Sequence, residues 1–210
     1  MSHLVRICAG FVLVFLLGLA VISAEPLKKL YARKVLSDAN FEGQILPNAE
    51  FSHSALSSSN FADAVLQRAT FSNVAASSTK FNRTDLKGAR FRHSAMPSSQ
   101  FDEAKCEGAS FQHCVLGSSS FAGANFEGAE FSSCTMSSSH FRGANCRGAR
   151  FRNCDINSSH FDGADLRGAD FRDSFLSGHF DKETRYDKTT RFPKGFDPKE
   201  QGLTLVQDEK

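Results

Sequence analysis

The chain has 210 residues, 40% of them apolar, with 25 lysines and arginines against 23 aspartates and glutamates. That apolar share suffices for a packed core and argues against wholesale disorder. A net charge of +2 gives neither the basic footprint of a nucleic-acid binder nor an acidic surface that could imitate nucleic acid.

The N-terminus has a secretory layout. Arg6 is followed by the uncharged run Ile7–Ile22, and Ser23-Ala24 forms a small-residue stop before polar Glu25-Pro26. These sixteen residues fall short of the roughly 20 a spanning helix needs. Residues 1–24 are therefore expected to be a signal peptide cut after Ala24, with an N-terminal membrane anchor as the alternative. The mature chain is expected to be exported (periplasmic, lumenal or secreted) and to carry no membrane span.

Residues 25–38 suggest a short capping helix. Pro26 suits a first helical position, and Leu27, Leu30, Tyr31 and Val35 recur at helical spacing among Lys28, Lys29, Arg33 and Lys34. Such a helix would close the open end of a stack of repeats.

A five-residue period runs over residues 39–178. Every fifth residue from Phe41 to Leu176 is apolar, fifteen of the 28 being Phe. Two residues before each of them the chain is small, Ala, Ser, Cys or Thr, except at Gln44 and Val74. No helix or alternating strand has a period of five. A second period of twenty brings Ser58, Ser78, Ser98, Ser118, Ser138 and Ser158 into one class and Gly88, Gly108, Gly128, Gly148 and Gly168 into another. Twenty is four fives. The chain is therefore expected to coil around four short sides, each placing one large and one small residue inside, with coils stacked as parallel strands about 4.8 Å apart. Seven such coils make an all-β rod.

The segments ANFEG, ADLRG, TDLKG and ANCRG resemble the pentapeptide-repeat family, and the resemblance covers about two thirds of the chain. It implies a right-handed quadrilateral parallel β-helix. The tail YDKTTRFPKGFDPKEQGLTLV is similar to the closing segment of bacterial members. Phe180 departs from the period, and Pro193 and Pro198 oppose regular pairing, so 179–210 is expected to be an irregular C-terminal cap. With a cap at each end, the rod is expected to be a monomer.

Residues twenty apart are neighbours in such a stack. Cys114, Cys134 and Cys154 fall in one inward column, readable either as packed thiols or as a disulfide with one thiol left over. Cys106 and Cys146 share another column, separated by Phe126. His93 with His113, and His140 with His160, form outward pairs that lack the partners of a metal centre. Arg142, Arg147, Arg150 and Arg152 make one coil basic, the best candidate for an anion or partner patch, and Arg152 is expected to lie over Arg172.

No nucleophile elbow, phosphate loop or metal-ligand spacing appears, so the chain is read as a non-enzyme without cofactor. The leading expectation is an exported structural or interaction rod that holds a protein or cell-envelope partner, not nucleic acid. The resemblance supplies an alternative, since some pentapeptide-repeat proteins bind DNA gyrase by imitating duplex DNA. That role calls for a strongly acidic cytoplasmic rod, whereas residues 39–178 hold thirteen basic and fourteen acidic residues.

Overall fold

The computed structural model describes residues 30–207, and over that span the chain winds as a four-sided parallel β-solenoid without a helix. One side is a seven-stranded sheet, β1 (Glu50–Ser52), β2 (Thr70–Ser72), β3 (Arg90–Arg92), β4 (Ser110–Gln112), β5 (Glu130–Ser132), β6 (Arg150–His160) and β7 (Asp170–His179), paired in chain order. Its register sets Phe51 on Phe71 and Phe71 on Phe91, a full twenty residues per coil. The other sides meet through parallel bridges of the same spacing, such as Val35 to Ala55, Asn40 to Asn60 and Ile45 to Val65. A two-residue pair, β8 (Arg185–Tyr186) with β9 (Thr204–Leu205), closes the far end.

The interior is two interlocked stacks of rings. Tyr31, Phe51, Phe71, Phe91, Phe111, Phe131, Phe151, Phe171 and Phe192 form one column, with successive centroids 4.5 to 6.2 Å apart. Phe41, Phe61, Phe81, Phe101, Phe121, Phe141, Phe161 and Phe180 form the opposite column. The two meet edge to face, as Phe41 meets Phe51 at 5.8 Å and 87°. Each buried Phe contributes about 1.5–3 kcal/mol by area, and ring geometry adds about 0.5–1.5 kcal/mol per pair. The remaining two inward columns alternate in size where a ring intrudes: Cys106 and Cys146 flank Phe126, whose ring meets Phe121 at 5.5 Å and Phe131 at 5.3 Å.

The tight turns sit two residues after each inward centre, not at the small residue before it. Every fifth residue from Arg33 to Gly168 has φ between +50° and +69°. Nine of these are glycines and nineteen carry side chains, so most corners hold an L residue in the left-handed region. The small inward residue has another task. Ser59, Thr79, Ser99, Ser119, Ser139 and Ser159 donate hydroxyls to the carbonyls of Leu36, Leu56, Ala76, Met96, Leu116 and Met136 at 2.7–3.0 Å.

Both ends of the repeat lie further out than the sequence suggests. Residues 30–38, expected in a capping helix, are solenoid: Tyr31 and Leu36 continue the inward phase, and Tyr31 stacks on Phe51 at 4.7 Å. Leu30 and Val35, expected on the helix's apolar stripe, are 63% and 86% exposed. The period of five overrides the coincidental helical spacing because it lets Tyr31 and Leu36 join the core. Residues 25–29 and the expected signal segment 1–24 lie outside the described residues. At the other end the irregular cap begins later, because Phe180 stacks on Phe161 at 5.2 Å and 3°. One residue is missing from that coil, and Gly178, paired with Ser159, absorbs the deletion. The inward columns thus reach Phe192, and about eight coils replace the expected seven.

Candidate functional site

The residues immediately before and after each inward centre point outward, which gives four faces of two columns each. On three of them and at their corners charge is abundant, and part of it is matched within the stack. Arg83 meets Asp63 at 2.7 Å, Arg150 meets Glu130 at 3.0 Å, and Lys87 meets Glu107 at 3.4 Å. Asp165 receives both Arg167 at 2.5 Å and Arg185 at 3.3 Å. Burial pushes its carboxyl up, but those arginines and the Arg167 N–H hold it below the usual range. Exposed pairs of this kind are screened by water and salt, so they order the surface more than they stabilise it.

The candidate arginines do not gather on one face. Arg142 and Arg147 lie on two adjacent faces, and Arg150 and Arg152 flank Phe151 on a third, so the four ring one coil. Arg152 does not lie over Arg172 as expected. A bulge between β6 and β7 sets Asp173 opposite it, while Arg172 turns to Asp170 at 2.7 Å. Asp162, one coil on from Arg142, lies 2.5 Å from His179 Nδ1.

Cys114, Cys134 and Cys154 occupy one inward column as free, buried thiols. Their sulfurs lie 3.3–3.4 Å from the carbonyls of Gln112, Phe111 and Arg152. Cys134 donates to Cys114, which pushes Cys134 up to about 12 and holds Cys114 below an ordinary thiol. Burial pushes Cys146 up to about 12 and Cys106 higher still. Neutral thiols suit filler positions better than nucleophiles.

The histidines stack as the columns require, His93 on His113 at 4.8 Å and His140 on His160 at 4.9 Å, with His179 tilted beyond them at 6.1 Å. Among the described residues, no three His, Cys, Asp or Glu side chains are placed to hold a metal ion. No helix there is long and apolar enough to cross a membrane. Two open clefts, about 490 and 350 Å³, lie at the C-terminal end against Phe196, one beside Tyr186 and one beside Phe175.

One feature escaped the sequence reading. The fourth face, spanning residues 53–58 and their equivalents up to 158, carries one charged residue, Asp155, in six coils. Its signal in the sequence is the class of every twentieth residue from Val35, charged only at Asp155, which the near-balanced charge of the whole rod conceals.

The model of the pentapeptide repeat region matches residues 44–121 and 104–180. No curated protein matches. Similar solved structures include trypsin-treated QnrB1, a plasmid-mediated fluoroquinolone resistance protein, at 17% identity over 85% of this chain and 90% of that one, TM-score 0.35. HetL from the cyanobacterium Nostoc sp. strain PCC 7120, involved in regulating heterocyst differentiation, is 17% identical over 74% and 84%, TM-score 0.28. A pentapeptide repeat protein of the Arabidopsis thaliana thylakoid lumen is 22% identical over 46% and 71%, TM-score 0.17. With its repeat, its four-sided stack and the family model covering more than half its length, this chain belongs to the pentapeptide repeat family.

Proposed function

We propose that this protein is a non-enzymatic, exported structural and interaction rod that holds a protein of the cell envelope on its charged faces. The observation that carries the reading is the register of the stack. Outward side chains repeat every coil at about 4.8 Å, over an unbroken column of buried rings from Phe51 to Phe171. Such a rod presents ordered ranks of charge without the entropy cost of arranging them at binding. The coil ringed by Arg142, Arg147 and Arg152 is the proposed contact for an acidic partner, since Arg150 is already engaged by Glu130. Export rests on Arg6, the run Ile7–Ile22 and the Ser23-Ala24 stop.

Fractionation with N-terminal sequencing tests the compartment, and a photo-crosslinker at position 147 tests the contact. An extracytoplasmic product beginning at Glu25, crosslinked to one envelope protein, is the expected result. A cytoplasmic product retaining Met1 would overturn export and return gyrase to contention. An excess of the rod is expected to leave gyrase supercoiling unchanged, as its near-neutral repeat region is a poor substitute for DNA.

A further inference from the structure

We infer that the fourth face, whose six middle coils carry Asp155 alone among charged residues, is a self-association surface, on which two copies of this chain meet face to face and antiparallel. Its outer column is Val35, Ala55, Ala75, Ala95, Val115, Thr135, Asp155 and Phe175, each bridged to the next in strict register. Large apolar side chains stand open along it: Val35 is 86% exposed, Val115 45% and Phe175 73%. The second column, beginning at Ser57, runs through Ser77, Pro97, Gly117 and Ser137. Asp155 is already engaged on the face, accepting from the Ser137 hydroxyl at 2.9 Å and the Asn157 N–H at 3.2 Å.

Charge selects the occupant. Two copies meeting through any of the other three faces would set arginines, lysines and carboxylates against their own images or leave them desolvated. The fourth face meets its own image with a single carboxylate per copy to cover, Asp155, which this packing sets on Ala55 and whose hydrogen bonds are already made within its own chain, and a two-fold interface requires a patch that is self-complementary. Geometry then selects the direction. A two-fold axis across the rods midway between Ala95 and Val115 sets Val35 of one copy on Phe175 of the other, Ala75 on Thr135, and Ala95 on Val115. The largest exposed apolar side chain is thereby covered by the most exposed one, and the small central residues let the sheets approach.

The area fits a weak, reversible contact. Seven coil steps of about 4.8 Å and a strand run of about 16 Å give roughly 1,100 Å² for two copies. That lies just above the ~1,000 Å² expected of a specific interface, the low end of the range, where contacts are weak and transient. The closing pair β8–β9 does not oppose this arrangement, because it blocks joining end to end, not side by side. It also leaves the three charged faces open, so it stands whether or not an envelope partner binds there.

Sedimentation equilibrium of the protein as its host releases it, over a concentration series, tests the proposal. A monomer–dimer equilibrium is expected, and Val115→Arg should weaken it at least about tenfold, with circular dichroism and melting unchanged because the side chain points outward. Ala95→Glu/Val115→Arg should restore the dimer through two opposed charge pairs, while Ala95→Arg/Val115→Arg should not. If Val115→Arg perturbs folding, Ala75→Arg, facing Thr135, takes its place. A monomer at every concentration, a dimer indifferent to these arginines, or failure of the charge swap to rescue would overturn the proposal.

Discussion

A corner in the middle of the rod and a corner in its closing coil solve the same problem with different groups. In the middle, Gly143 N–H donates to the Asp162 carbonyl at 2.8 Å and Gly148 N–H to the Arg167 carbonyl at 2.9 Å, backbone to backbone. In the closing coil, Gly163 N–H donates to the Asp181 carboxylate at 2.9 Å and Gly168 N–H to the Asp187 carboxylate at 3.2 Å. Each aspartate opens a short D-K-x-T segment, and its Oδ1 also takes N–H groups of its own turn, those of Glu183 and Thr184 or of Thr189 and Thr190. Thr184 and Thr190 then reach the carbonyls of Phe161 and Leu166, as the serines do elsewhere. The spacing is no longer twenty residues here, since Phe161 meets Phe180 and Phe171 meets Phe192. Where the chain cannot supply a carbonyl in register, a side chain supplies an acceptor instead. A buried N–H must find a partner from either source.

The comparison breaks most sharply at Gly178. Its φ is +147°, and a Cβ there would stand 1.8 Å from the Ser159 carbonyl oxygen and 2.7 Å from its nitrogen, both backbone atoms. Gly178→Ala should therefore unzip β7 from β6, with a loss of about 3 kcal/mol or more in the closing coil. Repeat stacks couple mainly to nearest neighbours, so the damage should stay local. Hydrogen exchange is expected to show lost protection over residues 161–192 and unchanged protection over β1 to β4. A uniform loss along the rod would contradict the local reading.

The two aspartates come next. Asp181→Ala leaves the Gly163 N–H without its acceptor, at a cost of about 1–3 kcal/mol, read as faster proteolysis of the C-terminal segment, while Asp187→Ala should cost less because the Gly168 N–H also reaches the Thr190 hydroxyl at 3.1 Å. Burial pushes both carboxyls up, but the hydrogen bonds from Gly163, Thr184 and Glu183 to Asp181, and from Thr189, Gly168 and Thr190 to Asp187, leave both below the usual range. A carboxylate depressed in the folded state stabilises fully above its unfolded pKa. That contribution is lost as pH falls through the folded value. Acid below about pH 4 should therefore loosen the closing coil before the middle of the rod, and the Asp181→Ala variant should lose that acid sensitivity in part. Hydrogen exchange at two pH values separates the regions.

The regular coils were legible in the sequence for a physical reason. A strict period of five is incompatible with other secondary structure, and Phe at alternate centres leaves little freedom in what fills the axis. The closing coil was not, because Phe180 stands one residue out of phase and the glycine that restores it, Gly178, is unremarkable beside the corner glycines. At the other end, four residues with helical spacing outweighed Tyr31 and Leu36, which were in phase with Phe41 throughout. The family resemblance identified the stack, but resemblance to a core pattern says nothing of the outward columns. Those differ from face to face, and the uncharged one became apparent only when residues twenty apart were placed side by side. The arginines show the reverse: close in sequence, Arg142 to Arg152 are spread around three faces by a turn every five residues.

The smallest effect tests why corners carry glycine at all. A Cβ at Gly128 meets nothing within 4 Å, so Gly128→Ala isolates the backbone term from crowding, with φ held at +64°. An L residue in this region costs about 1–2 kcal/mol, partly offset by the lower entropy of the unfolded alanine chain. A net loss near 1 kcal/mol in denaturant unfolding is expected. The converse lies at Ser98, φ +56°, which follows Pro97 at a corner of the uncharged face. Pro followed by Gly is the preferred pair for a turn with φ > 0 at its second central position, so Ser98→Gly should stabilise by up to about 1 kcal/mol. Opposite signs of similar size would assign the corner cost to φ alone. A destabilised Ser98→Gly would mean that the serine hydroxyl, one of the column Ser58 to Ser158, contributes more than its strained backbone costs.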